Sequence, residues 1–247
     1  MKKENTSESE SYKKINLETY YRKGSFTNFS EGPKCSLSVT SKIDVTDLYN
    51  WSKKYGTKFY INFLYALSKA LNSRDDYKME YRWQTKELIC WEKINPCHYV
   101  FFEEKEICTP VYSEYFSEYK KFYDGITKDI QEAKKRRTYK LENATHPNWF
   151  DASYISWENY DSLNIELPDG YLYFMPIINW GRFKKEYVVD PKTEEPRIRL
   201  MMPLTVRMNH AIADGYQVAK VFELVRKECE NLTREQNEQN KNNTLRR

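Results

Sequence analysis

The sequence predicts an α+β fold, a two-layer arrangement in which a mixed β-sheet has its helices packed on one face. Three features predict it. Residues 197–208 alternate, with Ile198, Leu200, Met202, Leu204, Val206 and Met208 on one parity and Arg197, Arg199, Thr205 and Arg207 on the other, the pattern of a half-buried strand. Val218, Val221, Phe222, Val225 and Cys229 then recur at helical spacing, the stripe of an amphipathic helix. Along the whole chain such strand and helix patterns interleave without a strict βαβ period and without an internal repeat.

Taken in order, residues 1–14 are polar and lysine/serine-rich and are expected to be loosely held. Residues 35–43 alternate as a strand. Asp44 to Tyr55 reads as a short helix with Leu48 and Trp51 inward, and Phe59 to Leu71 as a stronger one striped by Phe63, Leu64, Leu67, Ala70 and Leu71. Short strands are expected at Lys78–Trp83, Leu88–Trp91, His98–Phe102 and Ile107–Tyr112. Glu114 to Arg137 has the pattern of a long helix carrying Phe116, Tyr119, Phe122, Tyr123, Ile126 and Ile130. Past Pro147, Ala152–Ile155 and Tyr171–Trp180 read as strands, and Lys184–Pro196 as a charged hairpin or loop. Residues 233–247 lack an apolar stripe and read as a polar tail.

Composition bounds the function. With 247 residues, 7 glycines and no Pro/Gly/Ser-rich linker, the chain fits one domain over 15–232 between the two polar ends. Its 21 Tyr, 12 Phe and 6 Trp can fill a sizeable core and exclude a disordered chain. Forty basic against 36 acidic residues gives +4, interspersed rather than gathered, so no nucleic-acid footprint is read. The sharpest cluster, Lys134-Lys135-Arg136-Arg137, reads as a solvated helix end. Cys35, Cys90, Cys97, Cys108 and Cys229 show no Cys-x-x-Cys spacing, and His98, His146 and His210 offer no ligand pair, so neither a disulfide framework nor a metal site is expected. There is no apolar leader and no run of about 18 apolar residues, so no membrane association is expected, and a reduced, cytoplasmic protein fits.

The junction between the alternating strand and the last helical stripe carries the chemistry. Asn209-His210-Ala211-Ile212-Ala213-Asp214-Gly215 places a histidine at the end of the strand on its apolar parity, and an Asp-Gly pair then turns the chain into the helix. Asp214 can cap or turn there, and Gly215 permits backbone angles closed to most residues. Read alone, His210 also fits a hydrogen-bonded core histidine.

His-x-x-x-Asp-Gly between a strand and a helix resembles the active-site signature of the chloramphenicol acetyltransferase superfamily. The resemblance to the trimeric chloramphenicol acetyltransferases extends from about Asn16 to Cys229. It is carried by Ser-Leu-Ser-Val-Thr-Ser-Lys-Ile-Asp-Val-Thr at 36–46, Thr-Lys-Phe-Tyr at 57–60, Glu-Leu-Ile-Cys-Trp-Glu-Lys-Ile-Asn-Pro at 87–96 and Trp-Glu-Asn-Tyr-Asp-Ser at 157–162. The resemblance implies a fold like that family's and an acetyl-CoA-dependent O-acetyltransferase acting on chloramphenicol or a similar small hydroxyl acceptor. His210 would be the general base in a ternary complex, a task suited to a side chain that titrates near neutrality. Ser153 would hydrogen-bond the oxyanion. Asp214 would pair with Arg22 in a buried ion pair holding the His210 loop, and Asn179 would support the site. Lys58 and Arg182 would touch coenzyme A phosphates, and Phe29, Pro33, Cys35, Cys108, Leu163 and Ile165 would line the acceptor pocket. The resemblance further implies a homotrimer whose active sites lie between subunits.

The sequence departs from the family pattern in places. Asn209 replaces a histidine, Ala213 a cysteine, Asn179 a water-binding threonine and Ser156 a proline, while Cys108 and Pro33 stand where bulkier residues pack against the drug. These changes keep two alternatives open, the same fold acetylating a different small alcohol or thiol, and a catalytically weak drug-binding trimer.

Overall fold

The computed structural model describes residues 11–141, 147–166, 173–190 and 193–245, with side chains of the last helix to Arg234. A seven-stranded mixed sheet dominates it. Its centre is β10 (Pro196–Asn209), fourteen residues long and antiparallel to three neighbours: β9 (Lys184–Val189) along its first part, then β2 (Ser36–Asp44) on one side and β8 (Ile177–Gly181) on the other. The sheet continues from β8 through parallel pairings to β7 (Trp149–Ile155) and β5 (Asn95–Phe102), and ends on antiparallel β6 (Ile107–Tyr112).

One face of this sheet is covered by helices. α3 (Phe59–Asn72) and α5 (Gly215–Leu245) pack together over it, flanked by α2 (Thr46–Lys54) and α4 (Tyr119–Arg136). Leu204, Val206 and Met208 of β10, Ile178 and Trp180 of β8, and Phe150 and Ala152 of β7 meet Phe63, Leu64 and Leu67 of α3 and Val218, Val221 and Val225 of α5 in a single buried cluster. Burying each Leu- or Phe-sized side chain is worth roughly 1.5–3 kcal/mol, so this layer holds the fold. α3 goes beyond the amphipathic stripe its sequence predicts. Ile61 to Ser68 are all buried, which makes it the central helix.

β10 departs from the expected half-buried strand, because Met202 to Asn209 are buried on both faces. The reason is local. Residues 156–163 lie across the second face, where the Tyr160 hydroxyl donates to the Asn179 carbonyl (2.9 Å), the Thr205 hydroxyl donates to Tyr160 (3.3 Å) and the Ser38 hydroxyl donates to the Leu163 carbonyl (3.4 Å). Gly181 permits this close approach, since a Cβ there would stand 2.8 Å from the Glu158 carbonyl oxygen.

A smaller sheet joins β1 (Tyr12–Lys14), β4 (Glu87–Trp91) and β3 (Met79–Arg82). Residues 12–14 are thus tied down by β4, unlike the loose segment expected, and residues 1–10 lie outside the described residues. Beneath this sheet Tyr20 and Phe26, the latter in α1 (Lys23–Glu31), pack with Met79, Leu88, Ala211 and Ile212. That second core anchors the loop after His210.

Three boundaries also shift. α4 starts at Tyr119, not Glu114, because the Glu118 carboxylate caps it by accepting the Lys120 N–H at 3.1 Å. β8 starts at Ile177, because Pro176 has no N–H for a ladder; Tyr171 and Leu172 lie outside the described residues. α5 runs on to Leu245 through most of the stretch read as a tail. The charged 184–196 segment does form a hairpin, β9 against the start of β10. Among the described residues no helix is long and apolar enough to cross a membrane, and no three His, Cys, Asp or Glu side chains cluster as metal ligands.

Candidate active site

His210 is the first residue past β10, and its ring is held from several sides. The His210 N–H donates to the Cys35 carbonyl (3.0 Å) and the Ala211 N–H donates to the Asn209 side-chain oxygen (2.9 Å), fixing the backbone on either side of it. Phe29 of α1 stacks on the imidazole at 3.8 Å between centroids and 11° between planes. Nδ1 lies 3.1 Å from the Ala213 carbonyl oxygen, which can only accept, so Nδ1 carries the proton and the Nε2 lone pair stays available. The side chain is 20% exposed, enough for a ligand to reach it.

Asp214 sets the start of α5. Its N–H donates to the side-chain oxygen of Gln217 (2.9 Å), the reciprocal half of a capping box. Its carboxylate accepts both terminal nitrogens of Arg22 at 2.8 Å each, a bidentate fork. The neighbouring guanidinium holds Asp214 below the ordinary carboxylate value, and Asp214 raises Arg22. The expected pairing is therefore present, with one correction: Arg22 is 7% exposed but Asp214 is 46% exposed, so only the cation is buried. Gly215 is the first residue of α5 and does not use a left-handed conformation; of the described glycines, Gly56 alone has positive φ.

This asymmetry makes a stability prediction. Asp214→Asn leaves the buried guanidinium without its carboxylate, with the Gln217 side-chain oxygen still at 3.5 Å, and should destabilise the protein by about 1.5–3 kcal/mol, the worth of a hydrogen bond to a charged group. Arg22→Met leaves a half-solvated carboxylate and should cost about 1 kcal/mol. Because the Asp214 pKa is depressed in the fold, the stabilisation is present above the unfolded value of about 3.9 and lost as pH falls through the lower folded value. Urea midpoints at pH 7 and below pH 4 check both points, and equal losses for the two variants at pH 7 would contradict the asymmetry.

The other predicted residues form a second group in mid-sheet. Ser153 of β7 stands abreast of Asn179 of β8, Asn179 abreast of Thr205 of β10, and Thr205 abreast of Thr40 of β2. This polar row faces away from the helices, and the Thr40 and Thr205 hydroxyls share a 2.7 Å hydrogen bond. Asn179 is 3% exposed. One step along the same face, burial pushes the Asp151 carboxyl up to about 6 against the bond it accepts from the Tyr99 hydroxyl, and burial also lowers the pKa of Arg207.

Beside Ser153 the sheet parts. β5 and β7 pair only as far as His98 and Ala152. Beyond that point a cavity of about 430 Å³ opens, lined by Tyr99, Val100 and Phe101 on one side and residues 153–157 on the other, with Cys108, Tyr60, Ile130 and Lys134 completing it. Lys58 lies two residues before Tyr60 at the N-cap of α3. Arg182 follows Gly181, the partner of Ile155, and its N–H donates to the Glu158 carbonyl at 2.7 Å. Both cations are exposed, as is Lys134. The sequence reading missed Lys134, Tyr60 and Trp157 as cavity residues and took the first for a solvated helix end; spacing along α4 carries no sign that its last turn overlooks a gap in the sheet.

The expected acceptor pocket is thus split. Phe29 and Cys35 touch His210, Pro33 lies on the exposed link between α1 and β2, and Leu163 reaches β2 through Ser38, with Ile165 exposed beyond it. Cys108 sits with Ser153 instead. His210 lies five residues past Thr205 on β10, so at about 3.3 Å per residue and about 4.8 Å per strand it stands roughly 15–20 Å from Ser153. Within one chain the two cannot act on the same atom.

A family model described as chloramphenicol acetyltransferase matches residues 10–226. The chain is 28% identical to chloramphenicol acetyltransferase 3 of Escherichia coli over 218 residues, covering 88% of this chain and 97% of the relative. It is 26% identical to a chloramphenicol acetyltransferase of Vibrio anguillarum over 209 residues, covering 85% and 90%. A solved chloramphenicol acetyltransferase shares the fold with a TM-score of 0.71 at 18% identity, covering 89% of this chain and all of that one.

Proposed function

The chain belongs to the chloramphenicol acetyltransferase family, and from that premise we propose that it transfers the acetyl group of acetyl-CoA to a hydroxyl of chloramphenicol, giving resistance to the drug. The observation that carries the mechanism is the His210 ring, with Nδ1 tied to the Ala213 carbonyl, the Nε2 lone pair left available and the side chain 20% exposed. Nε2 takes the proton of the acceptor hydroxyl as that oxygen attacks the thioester carbonyl. The Ser153 hydroxyl donates to the oxyanion that forms. When the tetrahedral intermediate collapses, the carbon–sulfur bond breaks and the imidazolium returns its proton to the departing thiolate. The acetyl group passes directly within a ternary complex.

Because His210 and Ser153 lie so far apart in one chain, the working site combines His210, Phe29 and Cys35 of one subunit with Ser153 and Cys108 of another, in a homotrimer. The cavity between β5 and β7 suits the acyl donor: its walls are mostly aromatic and apolar, with Lys134 on its lining and Lys58 and Arg182 near it for phosphate. No cysteine is in a disulfide, which fits a reducing cytoplasm. The departures at Pro33 and Cys108 favour, as a second reading, a different small alcohol or thiol as acceptor.

Mixing the protein with acetyl-CoA, chloramphenicol and a thiol reagent tests the proposal. Drug-dependent thiol release is the expected result. Release only with other hydroxyl or thiol acceptors would establish the second reading, and none with any acceptor would leave a drug-binding trimer.

A further inference from the structure

His98 has no part in the mechanism above, yet it is fully buried with both ring nitrogens engaged. It lies on β5 at 0% exposure, and burial pulls its pKa down to about 3, so the ring is neutral at working pH. Nδ1 is 3.1 Å from the hydroxyl of Tyr60 on α3. Nε2 is 3.0 Å from the hydroxyl of Ser113, just past β6, and that hydroxyl donates to a carboxylate oxygen of Asp129 on α4 at 2.6 Å. Tyr60 stacks on Trp180 and lines the same cavity as Ser153. Four separate elements thus contribute one group each to a chain of hydrogen bonds that ends at the cavity wall.

The direction of that chain is determined. A carboxylate only accepts, so the single Ser113 proton points to Asp129 and the Ser113 oxygen must accept from His98. Nε2 therefore carries the one proton of the neutral imidazole. Nδ1 is then an acceptor, and the Tyr60 proton points to it. With its proton committed inward, the Tyr60 oxygen keeps only acceptor capacity, and the Tyr99 N–H at the cavity wall already points to it.

We propose that Asp129, Ser113 and His98 are positioning residues that fix Tyr60 as a hydrogen-bond acceptor in the donor channel, where it receives an amide N–H from the arm of the acyl donor. The proposal deepens the function above and rests on it for the identity of the donor. Cutting the chain at Ser113 frees His98 to take the other tautomer, which turns the Tyr60 proton outward and converts the acceptor into a donor with no change in packing at the cavity.

Steady-state kinetics with acetyl-CoA, and with S-acetyl-2-mercaptoethanol as a short thioester without an amide, test it. Tyr60→Phe should raise the KM for acetyl-CoA roughly three- to tenfold, the range for one neutral hydrogen bond, with kcat and the chloramphenicol KM unchanged and no effect on the amide-free donor. Ser113→Ala should reproduce this shift, the double variant should be no worse than either single one, and Ser113→Thr should restore the wild-type KM. An unchanged acetyl-CoA KM in Tyr60→Phe, or additive losses in the double variant, would overturn the proposal. Nitrogen-15 chemical shifts of His98 give a readout independent of turnover. They should report a proton on Nε2 in the wild type and on Nδ1 in Ser113→Ala, and a proton on Nδ1 in the wild type would also overturn it. Should the wild type release no thiol with any acceptor, the functional reading fails separately, while the His98 tautomer and the calorimetric affinity of Tyr60→Phe for coenzyme A still decide the relay.

Discussion

Replacing His210 with alanine is expected to lower kcat by about 10²–10⁴-fold, the usual contribution of a general base. The KM values for chloramphenicol and acetyl-CoA should move little. The imidazole offers its Nε2 lone pair only because Phe29, the Cys35 carbonyl and the Ala213 carbonyl hold it in one orientation. Those three contacts do not depend on substrate, so the ring is placed before either substrate arrives and its loss falls on the chemical step. His210→Gln would keep a polar side chain of similar reach without a base and should be as slow as alanine. Turnover within tenfold of wild type in either variant would remove the base from this position. Stopped-flow or end-point measurement of thiol release at saturating substrates makes the comparison.

The second large effect is a recovery of activity. Ser153→Ala and His210→Ala proteins should each be nearly inactive alone, yet co-expression of the two should restore turnover. An interface formed by the His210 of the Ser153→Ala chain and the Ser153 of the His210→Ala chain has a complete set of groups. In a cyclic trimer assembled at random from equal amounts, roughly a quarter of all sites would have that composition, so specific activity should return to roughly a quarter of wild type. A site contained in one chain predicts no recovery at any mixing ratio. The experiment thus asks directly whether the separation between the His210 loop and the polar row of Ser153, Asn179 and Thr205 is bridged by a second copy.

How much of this could be read from the residues alone depends on how local the cause is. The β10 alternation and the α5 stripe are set by neighbours two to four positions away, and both elements appear where their periods place them. The β6 boundaries also match, Ile107 to Tyr112. Failures begin where distant segments intervene. Thr205 read as a solvent-facing residue, but a loop some 45 positions earlier covers it through Tyr160. Tyr12 to Lys14 looked unattached because their partner, β4, lies far along the chain. The site shows the same division. His210, Asp214 and Gln217 belong to one continuous motif, so their geometry follows from it, whereas the cavity exists only because β5 and β7 stop pairing after four residues. Lys134 and Tyr60 gain their place from that gap. His98 carried no signal, since its partners come from α3, the end of β6 and α4.

β10 carries Thr205 in the polar row and delivers His210 at its end, so the five-residue interval between them would act as a ruler for the proposed trimer. Inserting or deleting a single residue within Val206–Asn209 would slide the imidazole by about 3.3 Å and turn the rest of the strand over, moving Met208 out of the helix-facing core and polar side chains of its neighbours into it. In the proposed trimer that error would be copied at every contact between protomers, and no adjustment of one subunit would relieve it for the next. Length variation in this family member should therefore be tolerated in the 184–196 hairpin at the strand's other end, where β9 is mostly solvent-exposed and no interval is being measured.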